Sequence, residues 1–149
     1  MKANASLHTL VDLSQNNVDE AARHLQELRA ERDAAHSQLE MLQTYRQDYA
    51  QRLLNVGQTG VTMANYHNFR RFIVTLDQAI SQQNSVIQAL EEKMEQGRQL
   101  WYGHQQRLKA YETLIDRRLQ TQHVQQQRME QRNSDEIAAR LFTRSQTAY

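Results

Sequence analysis

Apolar residues recur along this chain at alternating steps of four and three, and the recurrence breaks plainly at one place. From Leu7 those steps give Leu7, Val11, Ser14, Val18, Ala21, Leu25, Leu28, Arg32, Ala35, Leu39, Leu42, Arg46, Tyr49 and Leu53, of which eleven of fourteen are apolar. From Phe69 the same spacing gives Phe69, Ile73, Leu76, Ile80, Gln83, Ile87, Leu90, Met94, Gly97, Trp101, His104, Leu108, Tyr111 and Ile115, again eleven of fourteen. A repeat of this kind lays one narrow apolar stripe along a helix, so it predicts two coiled-coil arms. An arm of about 50 helical residues would be about 75 Å long, too long to fold into a globule.

The break lies between Asn55 and Thr62, where two of the four glycines sit. Glycine tolerates positive φ and favours the position just past a helix end, so Gly57 reads as the stop of the first arm and Thr62 as a cap for the second. A fold point near Thr59 would bring together seam residues whose numbers add to about 118, such as Tyr49 with Phe69, Leu42 with Leu76 and Leu28 with Leu90. The phases of the two arms agree across the break. The expected fold is therefore all-α, an antiparallel two-helix coiled-coil hairpin forming a single domain over 1–149. Arm one covers about 5–55, the turn about 56–62, arm two about 63–141 and a flexible tail 142–149.

Beyond Ile115 the stripe thins to Arg118, Gln122, Gln125, Met129 and Arg132, although helix-favouring residues persist. The second helix should thus outrun its partner from about Asp116, as an overhang that a binding partner would order.

Composition agrees with a seam rather than a large core: 39% hydrophobic residues, 7% aromatic and no proline. Cysteine is absent, which removes disulfides and thiolate metal sites. The N-terminus has no hydrophobic signal core, and no apolar run approaches the roughly 20 residues of a membrane span, so a soluble cytoplasmic protein is expected. The net charge of +1 conceals an asymmetry. Residues 1–40 carry four basic and seven acidic side chains, residues 117–149 six arginines and three acids. With only Phe142 and Tyr149 interleaved, the basic end lacks the stacking aromatics of a nucleic-acid reader and fits attraction between arms or a protein partner.

Sites for chemistry are not in view. Gly57 to Gly60 fits G-x-x-G but lacks the Lys-Ser/Thr and the strand of a phosphate loop. None of the six histidines pairs at i, i+4, and His104 reads as a packed seam imidazole. Rods offer no cleft for a perturbed carboxylate or an activated nucleophile, so no catalytic, cofactor-binding or metal residue is assigned and the chain reads as a non-enzyme. Trp101 and Tyr102, near Gly97 and Gly103, read as seam packing with a partner site as the alternative.

One surface carries more information. Gln38, Leu42, Tyr45 and Tyr49 recur at i, i+4, i+7 and i+11; Phe72, Leu76, Ala79 and Gln83 repeat that spacing, and the hairpin sets the rows side by side. Tyr45, Phe72 and Ala79 lie off the seam. They either widen the seam or form an exposed aromatic face of the kind that marks a protein interface.

Residues Met41 to Tyr45, Tyr49, Asn65 to Ile73, Thr75 to Leu76, Ala79 to Ile80, Arg107 to Tyr111, Arg128 to Met129 and Asp135 to Glu136 resemble the FliJ family of flagellar type III export proteins. The resemblance spans nearly the whole chain, and its specific part lies near the turn. It implies an antiparallel coiled coil like the central stalk of rotary ATPases. Such a stalk binds the hexameric export ATPase FliI, promotes its assembly, couples it to the export gate FlhA at the inner membrane and handles export chaperones of late substrates. The gate-binding residues implied are Gln38, Leu42, Tyr45, Tyr49, Phe72, Leu76, Ala79 and Gln83, with Gln83 standing where the family pattern has histidine. Arg117, Arg118, Arg128 and Arg132 are assigned to the ATPase ring, and the free chain is expected to be monomeric, without nucleic acid and touching the membrane only through the gate. Alternatives are the equivalent stalk of a virulence type III secretion system and a structural homodimeric coiled coil.

Overall fold

The structure, a computed structural model, describes residues 2–60 and 62–147. Two helices account for nearly all of them: α1, Lys2–Thr59, with 58 residues, and α2, Met63–Thr147, with 85. They pack against each other as a helical hairpin with the longer helix second, and no strand occurs among the described residues. Helices of this length form because nothing in the sequence stops them: proline is absent and Gln, Arg, Glu, Leu and Ala dominate. No described helix is long and apolar enough to cross a membrane.

Two boundaries differ from the sequence reading. Helix α1 runs through Gly57, and among the described residues positive φ falls at Gly60 (75°), so the stop lies three residues later than expected. Gly57 keeps ordinary helical geometry because one left-handed residue suffices to end the helix, and Gly60 supplies it. Thr62 does occupy the cap position: its carbonyl accepts the first bond of α2, from the Tyr66 N–H at 3.2 Å. At the other end α2 continues through 142–147, where a flexible tail was expected. Arg144 sits in the last turn, where a cation favours the helix dipole, and the Thr143 and Thr147 hydroxyls bond to carbonyls one turn back. The remainder of that tail, 148–149, lies outside the described residues.

The chain divides into two compact units. Unit 2, Val18–Gly103, holds the main core: Leu28, Ala35, Ile87, Leu90 and Met94 cluster, with Leu39 packed against them. Unit 1 comprises Met1–Asn17 and His104–Tyr149, and its seam buries Leu7, Ser14 and Leu108. Each expected seam position on both helices is buried or half-buried, with one exception. Arg46 is exposed because its guanidinium leaves the seam for the Asp77 carboxylate. From Asp116 to Thr147 every described residue is exposed, as the thinning stripe implies.

The register follows the displaced turn. In unit 2 the facing pairs include Ala35 with Gln83, Tyr49 with Phe72 and Leu25 with Gly97, whose numbers add to 118, 121 and 122. In unit 1, Asn4 with Arg118 gives 122. Tyr49 also faces Phe69, the expected pair at 118, so the sums run from 118 to 122 about a centre near 120, which suits a fold point beside Gly60.

Candidate functional site

In unit 2 the hairpin brings the two spaced rows together beside the turn. Tyr49, on the α1 seam, is the anchor. Its ring lies 4.5 Å from Phe72 and 5.9 Å from Phe69, both tilted, and the Arg52 guanidinium sits 5.4 Å from its centroid. Tilted pairs at these separations fall within the range of favourable ring contacts, and the cation adds to the attraction. Leu76 is buried, and Leu42 and Ala79 are half-buried.

Tyr45 and Phe72 resolve the choice left open by periodicity. They remain 50% and 43% exposed, so the rows widen into an outward aromatic face rather than a thicker seam. Gln83 closes the far end: its Nε2 donates to the Ala35 carbonyl at 2.9 Å and to Gln38 Oε1 at 3.2 Å. That cross-helix amide bridge fixes Gln38 beside the apolar residues. All eight residues lie in unit 2, and among them Leu76 is buried rather than exposed.

Near this face Arg46 pairs with Asp77. Hydrogen bonding to Asp77, then its charge, raises the Arg46 pKa above the ordinary guanidinium value. Both groups are about half exposed, so the pair orients side chains more than it stabilises the helices. Two residues of this neighbourhood escaped the sequence reading. Arg52 stacks on Tyr49 but falls at no apolar position. Val86, 44% exposed, continues the Phe72 and Ala79 row at the next seven-residue step, a signal the heptad spacing did carry.

Arg117, Arg118, Arg128 and Arg132 lie in unit 1 on α2, all exposed. Arg117 and Arg128 border one shallow groove with Val124. Arg118 and Arg132, fourteen residues apart, share the face that continues the seam, and Arg118 reaches Asn4 Oδ1 at 3.5 Å. Leu119, Met129, Ile137, Leu141 and Phe142 are more than half exposed among these arginines. This combination of cations and uncovered apolar side chains suits binding to another protein.

The other candidates sort simply. Trp101 and His104 are half-buried in the seam, whereas Tyr102 is 58% exposed. Among the described residues no three His, Cys, Asp or Glu side chains converge as a metal site.

Comparison with known proteins gives the family. The family model described as "Flagellar FliJ protein" matches residues 2–147. The flagellar FliJ protein of Salmonella typhi is 34% identical over 144 residues, covering 97% of this chain and 98% of that protein. The flagellar FliJ protein of Escherichia coli K12 is 33% identical over the same length and shares. With a family match along nearly its full length and relatives of its own length, the chain belongs to the flagellar FliJ family and is a component of flagellar protein export.

Proposed function

We propose that this chain is a non-enzymatic stalk of the flagellar export apparatus that binds the hexameric ATPase FliI, promotes its assembly and couples it to the cytoplasmic domain of the export gate FlhA. It also handles export chaperones of late substrates. The observation that carries the reading is the exposed aromatic face of unit 2, where Tyr45 and Phe72 are about half exposed and Phe72 packs on the ring of Tyr49. Preformed apolar anchors of this kind concentrate binding energy in a few side chains. The gate docks on Gln38, Leu42, Tyr45, Tyr49, Phe72, Ala79 and Gln83, with Leu76 held in the buried seam, and the ATPase ring takes the basic, uncovered end of α2 through Arg117, Arg118, Arg128 and Arg132. The protein works in the cytoplasm, meeting the inner membrane only through the gate at the flagellar base, and is monomeric when free.

The match to flagellar FliJ proteins supports the flagellar setting over a virulence one. Pull-down of the FlhA cytoplasmic domain tests the face: Tyr45→Ala with Phe72→Ala should abolish capture, and undiminished capture sinks the assignment. Deleting residues 117–149 should weaken FliI binding and ATPase stimulation while sparing the gate. The reverse pattern would invert the polarity. Sedimentation of the free chain should give a monomer, and an obligate dimer would favour a structural coiled coil instead.

A further inference from the structure

The seam of unit 2 has two charged interruptions, and they are treated differently. Arg46 finds a carboxylate on the facing helix, Asp77. Arg32 finds none: among the described residues its one ion pair is with its chain neighbour Asp33, at 3.2 Å, although its side chain is only 25% exposed. Holding a guanidinium in an apolar seam without a facing counter-ion is costly, and an apolar residue there would close the repeat.

Arg32 instead lines an open groove of about 340 Å³ with Leu25, Met94, Arg29 and Arg98. The floor is apolar, because Met94 is buried and Leu25 packs over Gly97 of α2. Leu25 can lie there because Gly97 has no side chain; a Cβ at that position would come within 2.9 Å of Leu25 Cδ2. Three guanidiniums and Gln26 therefore edge one groove whose apolar lining is Leu25 and Met94. Arg98 is tied to Glu95 at 2.7 Å, and both partners are more than half exposed, so that pair exchanges readily for another carboxylate.

We infer that this groove is a docking site for an acidic segment of a partner protein, one that presents carboxylates a helical turn apart to Arg29, Arg32 and Arg98 and lays an apolar side chain on Leu25 and Met94. Guanidinium forks match carboxylates in a two-point geometry, which selects for Asp and Glu side chains over a diffuse negative surface. The site is separate in sequence from the aromatic face and from the arginines of the α2 end, and does not depend on the export-gate reading.

The test uses the full chain and a hexaglutamate peptide, followed by amide NMR. Saturable binding should shift Leu25 to Arg32 and Met94 to Arg98. Arg32→Leu completes the apolar seam, so its thermal stability should not fall, yet peptide affinity should drop by about tenfold or more. Arg29→Gln with Arg98→Gln should weaken binding similarly. Absence of saturable binding, shifts confined to 117–144, or unchanged affinity in these variants would each overturn the proposal. Equal affinity for inorganic pyrophosphate would overturn it in favour of a phosphate site.

Discussion

The ring of Tyr49 packs more closely on Phe72, at 4.5 Å, than on Phe69, at 5.9 Å, although Phe69 is the residue opposite it in the expected seam. An off-seam aromatic thus takes over part of a seam contact. One consequence is that the outward face and the helix pairing share a residue, so they can be separated by choosing which ring to remove.

Removing Tyr49 takes away two ring partners and a cation contact, and Tyr49→Ala should destabilise the chain by about 2 kcal/mol in urea unfolding. Phe72, nearly half exposed, should cost about 1 kcal/mol when replaced by alanine and still abolish gate capture. Equal stability losses in the two variants would mean that the rings contribute alike to the seam.

The displaced helix stop separates two glycines that look interchangeable. Gly57 lies inside α1 with open space where a Cβ would project, so Gly57→Ala should raise stability by about 0.5 kcal/mol. Gly60 has a φ of 75°, which alanine resists, and Gly60→Ala should lower stability by about 1 kcal/mol. Thermal melts of the two variants should move in opposite directions, and a shared direction would place the stop elsewhere.

Much of this architecture was legible because in a long hairpin the hydrophobic repeat and the packing are nearly the same thing. Leu28, Ala35, Leu90 and Met94 were seam positions by spacing and are core residues in space. The turn was not as readable, since Gly57 and Gly60 carry the same local signal and the choice between them depends on how two helices mesh over many turns. The exposure of Tyr45 and Phe72 depends likewise on the rotation of each helix about its axis, which a stripe of period 3.5 leaves free by some tens of degrees. Arg52 on Tyr49 had no pattern to betray it, because a cation above a ring needs proximity and no periodicity.

Two further glycines sit within the second helix and should respond differently to a methyl group. At Gly103 nothing lies within reach, so Gly103→Ala should stabilise by about 1 kcal/mol through helix propensity alone. At Gly97 the same gain is offset by displacing the end of Leu25, leaving Gly97→Ala close to neutral. Gly97→Val, which cannot be accommodated by a shift of one methyl group, should cost about 2 kcal/mol. Guanidinium unfolding of the three variants gives the order directly, and a destabilised Gly103→Ala would contradict it.

In unit 1 the carbonyl Oε1 of Gln105 is buried without a hydrogen-bond partner, close in sequence to the half-buried His104 and the buried Leu108. A buried acceptor left unpaired carries a desolvation penalty of about 1–3 kcal/mol. Methionine has nearly the same length and no polar atom that demands a partner, so Gln105→Met should stabilise the chain by about 1 kcal/mol. Asparagine would shorten the side chain without removing the carbonyl, and should give no gain. Urea midpoints that leave Gln105→Met level with the parent would show that the carbonyl is satisfied by solvent and that this part of the seam is wetter than its burial implies.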